Sequence, residues 1–138
     1  MSENRFVDNK NGTITDTLTK LVWMQNDSYL DLMKFVNYRT ALRYFQKKNE
    51  ESFAGYNDWR LPNKREAHSL FDKDRSLTDK YDMAIHIDPV FAEGCGYDTW
   101  TSNTRGKITA YCYSFSSGTG GHKEVDDILN SSARLVRG

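Results

Sequence analysis

The chain has 138 residues, a length that fits one domain, so we treat residues 1–138 as a single unit. Hydrophobic residues make up 38% and charged residues 28%, and no apolar run approaches the ~20 residues of a spanning helix, so we expect no membrane insertion. Basic and acidic residues both number 19. The resulting zero net charge argues against nucleic acid as a partner, because nucleic-acid-binding domains usually run basic.

The N-terminal residues and the cysteines bear on the cellular compartment. No apolar segment follows Met1–Arg5, so we expect no secretory signal here. Two cysteines, Cys95 and Cys112, are too few for a disulfide-dense scaffold. Free thiols are the default, and one bridge between them stays open. We therefore expect a cytoplasmic protein; the alternative is a secreted protein whose signal has been removed.

The first half of the chain predicts strands followed by helices. Asn11-Gly12 supplies the positive-φ residues of a tight hairpin turn between two β-prone runs. Pro62 disfavours helix just before it, and Asn63 with Glu66 has the spacing of a capping box. The predicted elements are strands at 5–7, 13–15 and 21–24, the last one central, a helix at 38–49 capped by Asn37, a turn or helical extension at 28–36, and a second helix from Asn63 onward.

The second half predicts a long excursion followed by closing strands. Residues 72–98 are mostly irregular, with one apolar anchor from Ile85 to Phe91. A loop of that length is usually functional or flexible. We predict strands at 99–101, 108–115 and 133–136. The order of elements is typical of an α+β fold, and we expect the first and last strands to lie side by side in one antiparallel sheet.

The run Ala54–Asn63 is the most distinctive motif in the chain. With it, the chain resembles the family named for the C-terminal domain of Legionella collagen-like protein. Supporting pieces follow in the family's order: 5–9, 11–16, 21–24, 87–91, 100–102, 110–118 and 136–138. The resemblance implies a C-type-lectin-like fold, a twisted antiparallel sheet with two helices and long irregular loops, related to the formylglycine-generating branch. It also implies a binding or adhesion module of the kind found on secreted bacterial proteins, some of which recognise sulfated glycans.

The chain departs from the family at two positions. Members often carry a pair of cysteines able to bridge the chain ends, where this chain has Phe45 and Leu135. Two apolar side chains can replace such a bridge by packing together. This departure favours a reducing compartment over an extracellular adhesin.

Metal, cofactor and catalytic sites are not expected. The three histidines, His68, His86 and His122, are scattered, whereas metal ligands are usually closely spaced. Neither cysteine has a neighbouring histidine to lower its pKa. We therefore expect no enzyme, with a thiol-dependent oxidase related to formylglycine-generating enzymes as an alternative implied by the resemblance.

One helix face is a candidate polyanion site. Arg39, Arg43 and Lys47 recur at i, i+4 and i+8 with Lys48 beside them, and like charges at this spacing cost a few tenths of a kcal/mol per pair. The competing interpretation is a solvated helix face whose apolar stems cover the core.

The aromatic residues Trp23, Trp59, Tyr111, Tyr113 and Phe115 are expected to face the core. The better ligand-binding candidates lie in predicted loops near the closing strands: Tyr97, Asp98, Asn103, Arg105, His122 and Lys123. We predict a non-catalytic recognition module that binds a protein partner through residues 72–105 and 117–131. A polyanion- or glycan-binding adhesin-type module is the alternative, and a homo-oligomer remains open.

Overall fold

The computed structural model describes residues 5–127 and 131–138, and within them the chain is a mixed α+β domain. The described strands are β1 (Phe6–Asp8), β2 (Thr13–Asp16), β3 (Leu21–Met24), β4 (Leu77–Thr78), β5 (Ala84–Ile85), β6 (Asp98–Arg105), β7 (Thr109–Ser114), β8 (Thr119–Glu124) and β9 (Val136–Arg137). The described helices are α1 (Ser28–Leu32), α2 (Tyr38–Glu50), α3 (Lys64–Ser69) and a 3₁₀ turn (Phe53–Gly55). The predicted α+β class is confirmed.

The first sheet joins the two ends of the chain in the order β1-β2-β3-β9. The predicted hairpin is present, but the positive φ values of its turn belong to Lys10, at 62°, and Gly12, at 88°, and not to Asn11. The expectation that the first and last strands would be neighbours is wrong, because β9 pairs antiparallel with β3, Trp23 facing Val136. All four residues of β3 are buried, so this strand needs a partner on both sides, whereas the part-exposed β1 can form the edge.

Side-chain caps fix the helices. Asn37 accepts a hydrogen bond from Thr40 N at 2.8 Å and begins α2, as predicted. Met33, at φ 56°, ends α1, so residues 28–36 do not extend the longer helix. The predicted capping box at α3 is confirmed, since Asn63 and Glu66 each bond the other's backbone N–H.

The distinctive motif around Trp59 is a structural clamp. Asp58 receives two hydrogen bonds from Arg137, at 2.7 and 2.9 Å, and Arg60 makes a bidentate pair with Glu66 at 2.7 and 2.8 Å. Arg60 also exchanges both backbone hydrogen bonds with Val136. The guanidinium partners lower the pKa of Asp58 and of Glu66. This run therefore ties the C-terminal strand to α3 and leaves little of itself for a ligand.

The closing strands form their own sheet, in the order β6-β7-β8, with a third sheet made by β4 and β5. The expected single twisted sheet is therefore divided. Part of the excursion before β6 packs into the core, where Ile85, Ile87 and Phe91 are fully or almost fully buried. The predicted apolar anchor is confirmed, whereas Tyr81 and Met83 are exposed, so a recognition role for residues 72–97 stays a prediction.

The C-terminal segment runs through the core. Residues 131–136 are all buried, and Phe45 and Leu135, which stand where family members often have cysteines, belong to the same apolar cluster. Both Cys95 and Cys112 are free and buried. Apolar packing therefore takes the place that a bridge would occupy.

Candidate functional site

The predicted ligand-binding residues lie mostly on strands and not in loops. Asp98, Asn103 and Arg105 belong to β6, and His122 and Lys123 to β8. The prediction that these five residues lie in loops is therefore wrong. The alternation of aromatic and small side chains that marks β7 is interrupted in β6 by a register shift and in β8 by two glycines. Asp98 is also buried, at 5% exposure, where an exposed residue was expected.

Four of the six candidates meet around one depression of about 340 Å³. They are Tyr97, Asp98, His122 and Lys123, and the remaining lining is rich in hydroxyl groups and glycine. Below them, the Cys112 thiol donates to Asp98 Oδ2 at 3.3 Å, and Lys123 Nζ lies 3.9 Å from the same oxygen. Burial raises the pKa of Asp98 to about 7, against the opposing pull of Lys123.

Neither thiol has the electrostatics of a reactive cysteine. Burial is the main cause that raises the pKa of Cys95 to about 11. Burial and the neighbouring Asp98 carboxylate raise the pKa of Cys112 well above its ordinary value. Catalytic thiols require a lowered pKa, so both environments oppose thiolate chemistry.

A second and larger concavity, of about 510 Å³, lies on the opposite face of the sheet, between α3 and the β7–β8 hairpin. We call it the cationic groove. It is lined by Lys64, Arg65, His68, Tyr111, Tyr113, Gly118, Thr119 and Gly120. The capping box of α3 places Lys64 and Arg65 at the start of that helix, on the rim of the groove.

Aromatic rings form the floor of the cationic groove. The Lys64 ammonium lies 4.8 Å from the centroid of the Tyr111 ring, and the Tyr113 hydroxyl is 2.6 Å from His68 Nδ1. Tyr111 was expected in the core; it is only half-buried, and its ring lies directly against Gly120. A Cβ at Gly120 would come within 2.6 Å of that ring, so the close approach requires glycine.

The local potential of the cationic groove is positive. His122 stands opposite Tyr111 in the β7–β8 register, with ring centroids 5.5 Å apart. Partial desolvation and the positive charges of Arg105 and Lys64 lower the pKa of His122. Among the described residues, no carboxylate pairs with Lys64, Arg65 or Arg105 within 4.0 Å. Glu124 lies two residues after His122 on β8 and therefore on the same face of the strand.

Asn103 and Arg105 serve the groove and not the smaller depression. Asn103 Oδ1 accepts a hydrogen bond from Lys64 N at 2.8 Å and so fixes the start of α3 against β6. Arg105 lies exposed at the β6–β7 turn, paired in register with Thr109. Sequence reasoning missed Lys64 and Arg65, since nothing local to them indicates which strand α3 covers.

Lys48 does not share the exposed face of the other basic residues of α2. Lys48 turns away to pair with Asp31 at 2.9 Å and to cover the Phe53 ring at 4.8 Å. Arg39, Arg43 and Lys47 remain exposed, and Arg39 has a loose ion pair with Asp126 at 3.8 Å. The predicted four-residue cluster is thus reduced to three.

The other polar candidates are used structurally. The backbone carbonyl of Arg75 lies 3.1 Å from His86 Nδ1, and its guanidinium lies 3.3 Å from the Asp88 carboxylate. In the described part of the chain, no three His, Cys, Asp or Glu side chains gather as a metal site would require. Nor does any described helix have the length and apolar character to cross a membrane.

Together, the fold and the site define a mixed α+β domain with a shallow, cation-lined groove over aromatic rings. The family model described as the Lcl C-terminal domain matches residues 12–137, and the chain belongs to that family. This confirms the resemblance inferred from the Ala54–Asn63 run and its companions. No curated protein and no solved structure gives a significant match.

Proposed function

We propose that the chain is a non-catalytic recognition domain and that the cationic groove binds an anionic group of its ligand. The observation that carries the proposal is the clustering of Lys64, Arg65, Arg105 and His122 around the half-buried Tyr111 ring. Unpaired cations beside an aromatic floor favour a rigid, negatively charged ligand such as a sulfated or carboxylated glycan.

The buried thiols support a non-catalytic role. A thiol-dependent oxidase would need a thiolate at neutral pH, and the raised pKa values of Cys95 and Cys112 oppose one. Free, buried cysteines also agree with the proposed cytoplasmic location, because a reducing compartment keeps thiols unpaired.

A protein partner is a second candidate, favoured by a separate exposed patch. Met33 and Met83 are 68% and 63% exposed. The rings of Tyr29, Phe35 and Tyr81 gather around the Lys80 ammonium, with their centroids at 4.9, 5.6 and 5.0 Å from it. Exposed methionine and aromatic side chains are typical of protein interfaces. Lys80, Tyr81 and Met83 belong to the 72–97 excursion, so a protein partner would find apolar surface on its exposed part.

Heparin retention with rising salt tests the main proposal. The double variant Lys64→Ala with Arg65→Ala should elute at clearly lower salt than the wild type, because exposed ionic contacts are screened by salt. The matched control is Arg39→Ala with Arg43→Ala, which removes the same charge from α2. Equal loss in both doubles would show nonspecific charge binding and contradict the groove assignment.

A further inference from the structure

The outer edge of β8 has no partner strand among the described residues. β8 is bonded to β7 through a continuous six-residue register, and all its residues except Lys123 are exposed. Edge strands are usually shielded by proline, by a bulge or by an outward lysine. β8 contains no proline and no bulge, and the Lys123 ammonium is turned to Asp98 and Ser131 on one face. The edge is therefore open to strand addition.

The ladder shows which backbone groups are open. Val125 N donates to Ile108 O at 2.8 Å, so this is a hydrogen-bonded pair of the β7–β8 ladder. Such pairs alternate along antiparallel strands, so the N–H and C=O groups of Gly120, His122 and Glu124 point away from β7. Consistent with this, the Glu124 carbonyl accepts from Asp127 N. Gly120 and His122 are left to bond another strand.

We propose that β8 pairs antiparallel with β8 of a second copy, about a two-fold axis at Gly121, to form a continuous six-stranded sheet. In this register Gly120 lies opposite His122 of the partner subunit, and the outward groups of these two positions meet. Each large side chain faces a residue with little or none: His122 faces glycine, and Lys123 faces Thr119. A register centred on His122 would instead bring two imidazoles together beside the cations of both grooves.

The pairing has a consequence for binding, and only this consequence rests on the proposed function. A two-fold axis that relates adjacent antiparallel strands stands perpendicular to the sheet, so both cationic grooves open on the same side. A repeating polyanion could then occupy both, which raises its apparent affinity without any new contact. Loss of the dimer would weaken heparin retention without abolishing it.

Sedimentation analysis over a range of protein concentrations tests the dimer. We expect the wild type to approach twice the chain mass of 16.0 kDa as concentration rises. His122→Pro removes one outward N–H and no β7–β8 bond, so it should stay monomeric, whereas the matched His122→Ala keeps the N–H and should still dimerise. A wild type that remains monomeric at the highest concentration, or a His122→Pro variant that dimerises like it, overturns the proposal.

A cross-link fixes the register. Gly121 would face its own copy in a non-hydrogen-bonded pair, where Cα atoms lie about 4.5 Å apart, within disulfide range. A Cβ added at Gly121 meets no atom within 4 Å, so Gly121→Cys should fold and form a disulfide-linked dimer under mild oxidation. Thr104→Cys, exposed on β6, is the control and should not cross-link. Equal cross-linking of the two variants would refute the register, and heparin retention of the same variants reports separately on the groove.

Discussion

Asp98 shows how burial changes the character of a single residue. Its carboxylate accepts from Ser132 N at 3.1 Å and from the Cys112 thiol, and its backbone carbonyl accepts from the Ser132 hydroxyl at 2.7 Å. These bonds join β6 to the C-terminal segment. The same burial that makes them strong disfavours the charged carboxylate, so a structural residue also responds to pH near neutrality.

Replacing Asp98 with asparagine should remove part of the pH dependence of stability. The native pKa of about 7 lies above the ordinary value of 3.8, so between these values the folded state binds the proton more tightly than the unfolded chain. The free energy of unfolding should therefore fall as pH rises through this window, by up to about 4 kcal/mol. Urea unfolding across the window measures the slope, which Asp98→Asn should flatten.

The residual slope and a control variant check that assignment. Burial also raises the pKa of Asp27, so some decline should survive in Asp98→Asn. The pKa of Asp58 is lowered by Arg137, and its stability contribution is lost only as pH falls below about 4, so Asp58→Asn should keep the wild-type slope between these pH values. An unchanged slope in Asp98→Asn would show that its carboxyl is ionised throughout.

At the scale of elements, the two turns of the closing sheet require glycine for different reasons. Gly106, between β6 and β7, has φ 62° and open space where a Cβ would lie. Gly118, between β7 and β8, has φ 75°, and a Cβ there would come within 2.7 Å of the Phe71 ring. The second turn is thus held by packing as well as by backbone conformation, and it forms one end of the cationic groove.

Alanine substitutions at Gly106 and Gly118 should separate the cost of the left-handed backbone conformation from the cost of the clash with Phe71. Gly106→Ala should lower the free energy of unfolding by about 1 kcal/mol, the cost of a left-handed alanine. Gly118→Ala should lose more, roughly 2–3 kcal/mol, because the Phe71 ring must also move. Urea unfolding of both variants measures the difference. Equal losses would mean that Phe71 yields without cost.

At the scale of the whole molecule, the C-terminal segment holds the two sheets together. Val136 pairs with Trp23 in the first sheet, and Ser132 accepts from Trp100 N in the closing sheet at 2.9 Å. Arg134, 1% exposed, places its charge where it partly offsets the burial of Asp27 and lies 5.0 Å from the Phe91 ring.

Removal of residues 131–138 should abolish the native fold. The truncated chain would lose β9 from beside β3, the bonds to Arg60 and the cation near the buried Asp27. We expect the cooperative thermal transition and the near-ultraviolet circular dichroism to disappear. Removal of Gly138 alone, which is exposed, is the control and should leave both signals in place. A cooperative transition in the longer truncation would contradict this role.

The candidate site was only partly predictable. Tyr97, Asp98, His122 and Lys123 were chosen from the sequence, and they do line one depression. Lys64 and Arg65 of the larger groove were missed, because they reach β7 only through the packing of α3, a contact of high sequence separation. Tyr111 was assigned to the core because alternation shows which residues share a face and not how fully that face is covered.

Local elements and family membership could be read from residue type and spacing alone. The Asn11-Gly12 turn, the Asn37 cap and the Asn63–Glu66 capping box act within a few residues, so residue type and spacing were enough to place them. The neighbours of β3, the burial of Asp98 and the meeting of α3 with β7 depend on how distant segments compete for the same apolar surface. These features emerge only in the folded chain, because no local pattern encodes which of the competing segments packs there.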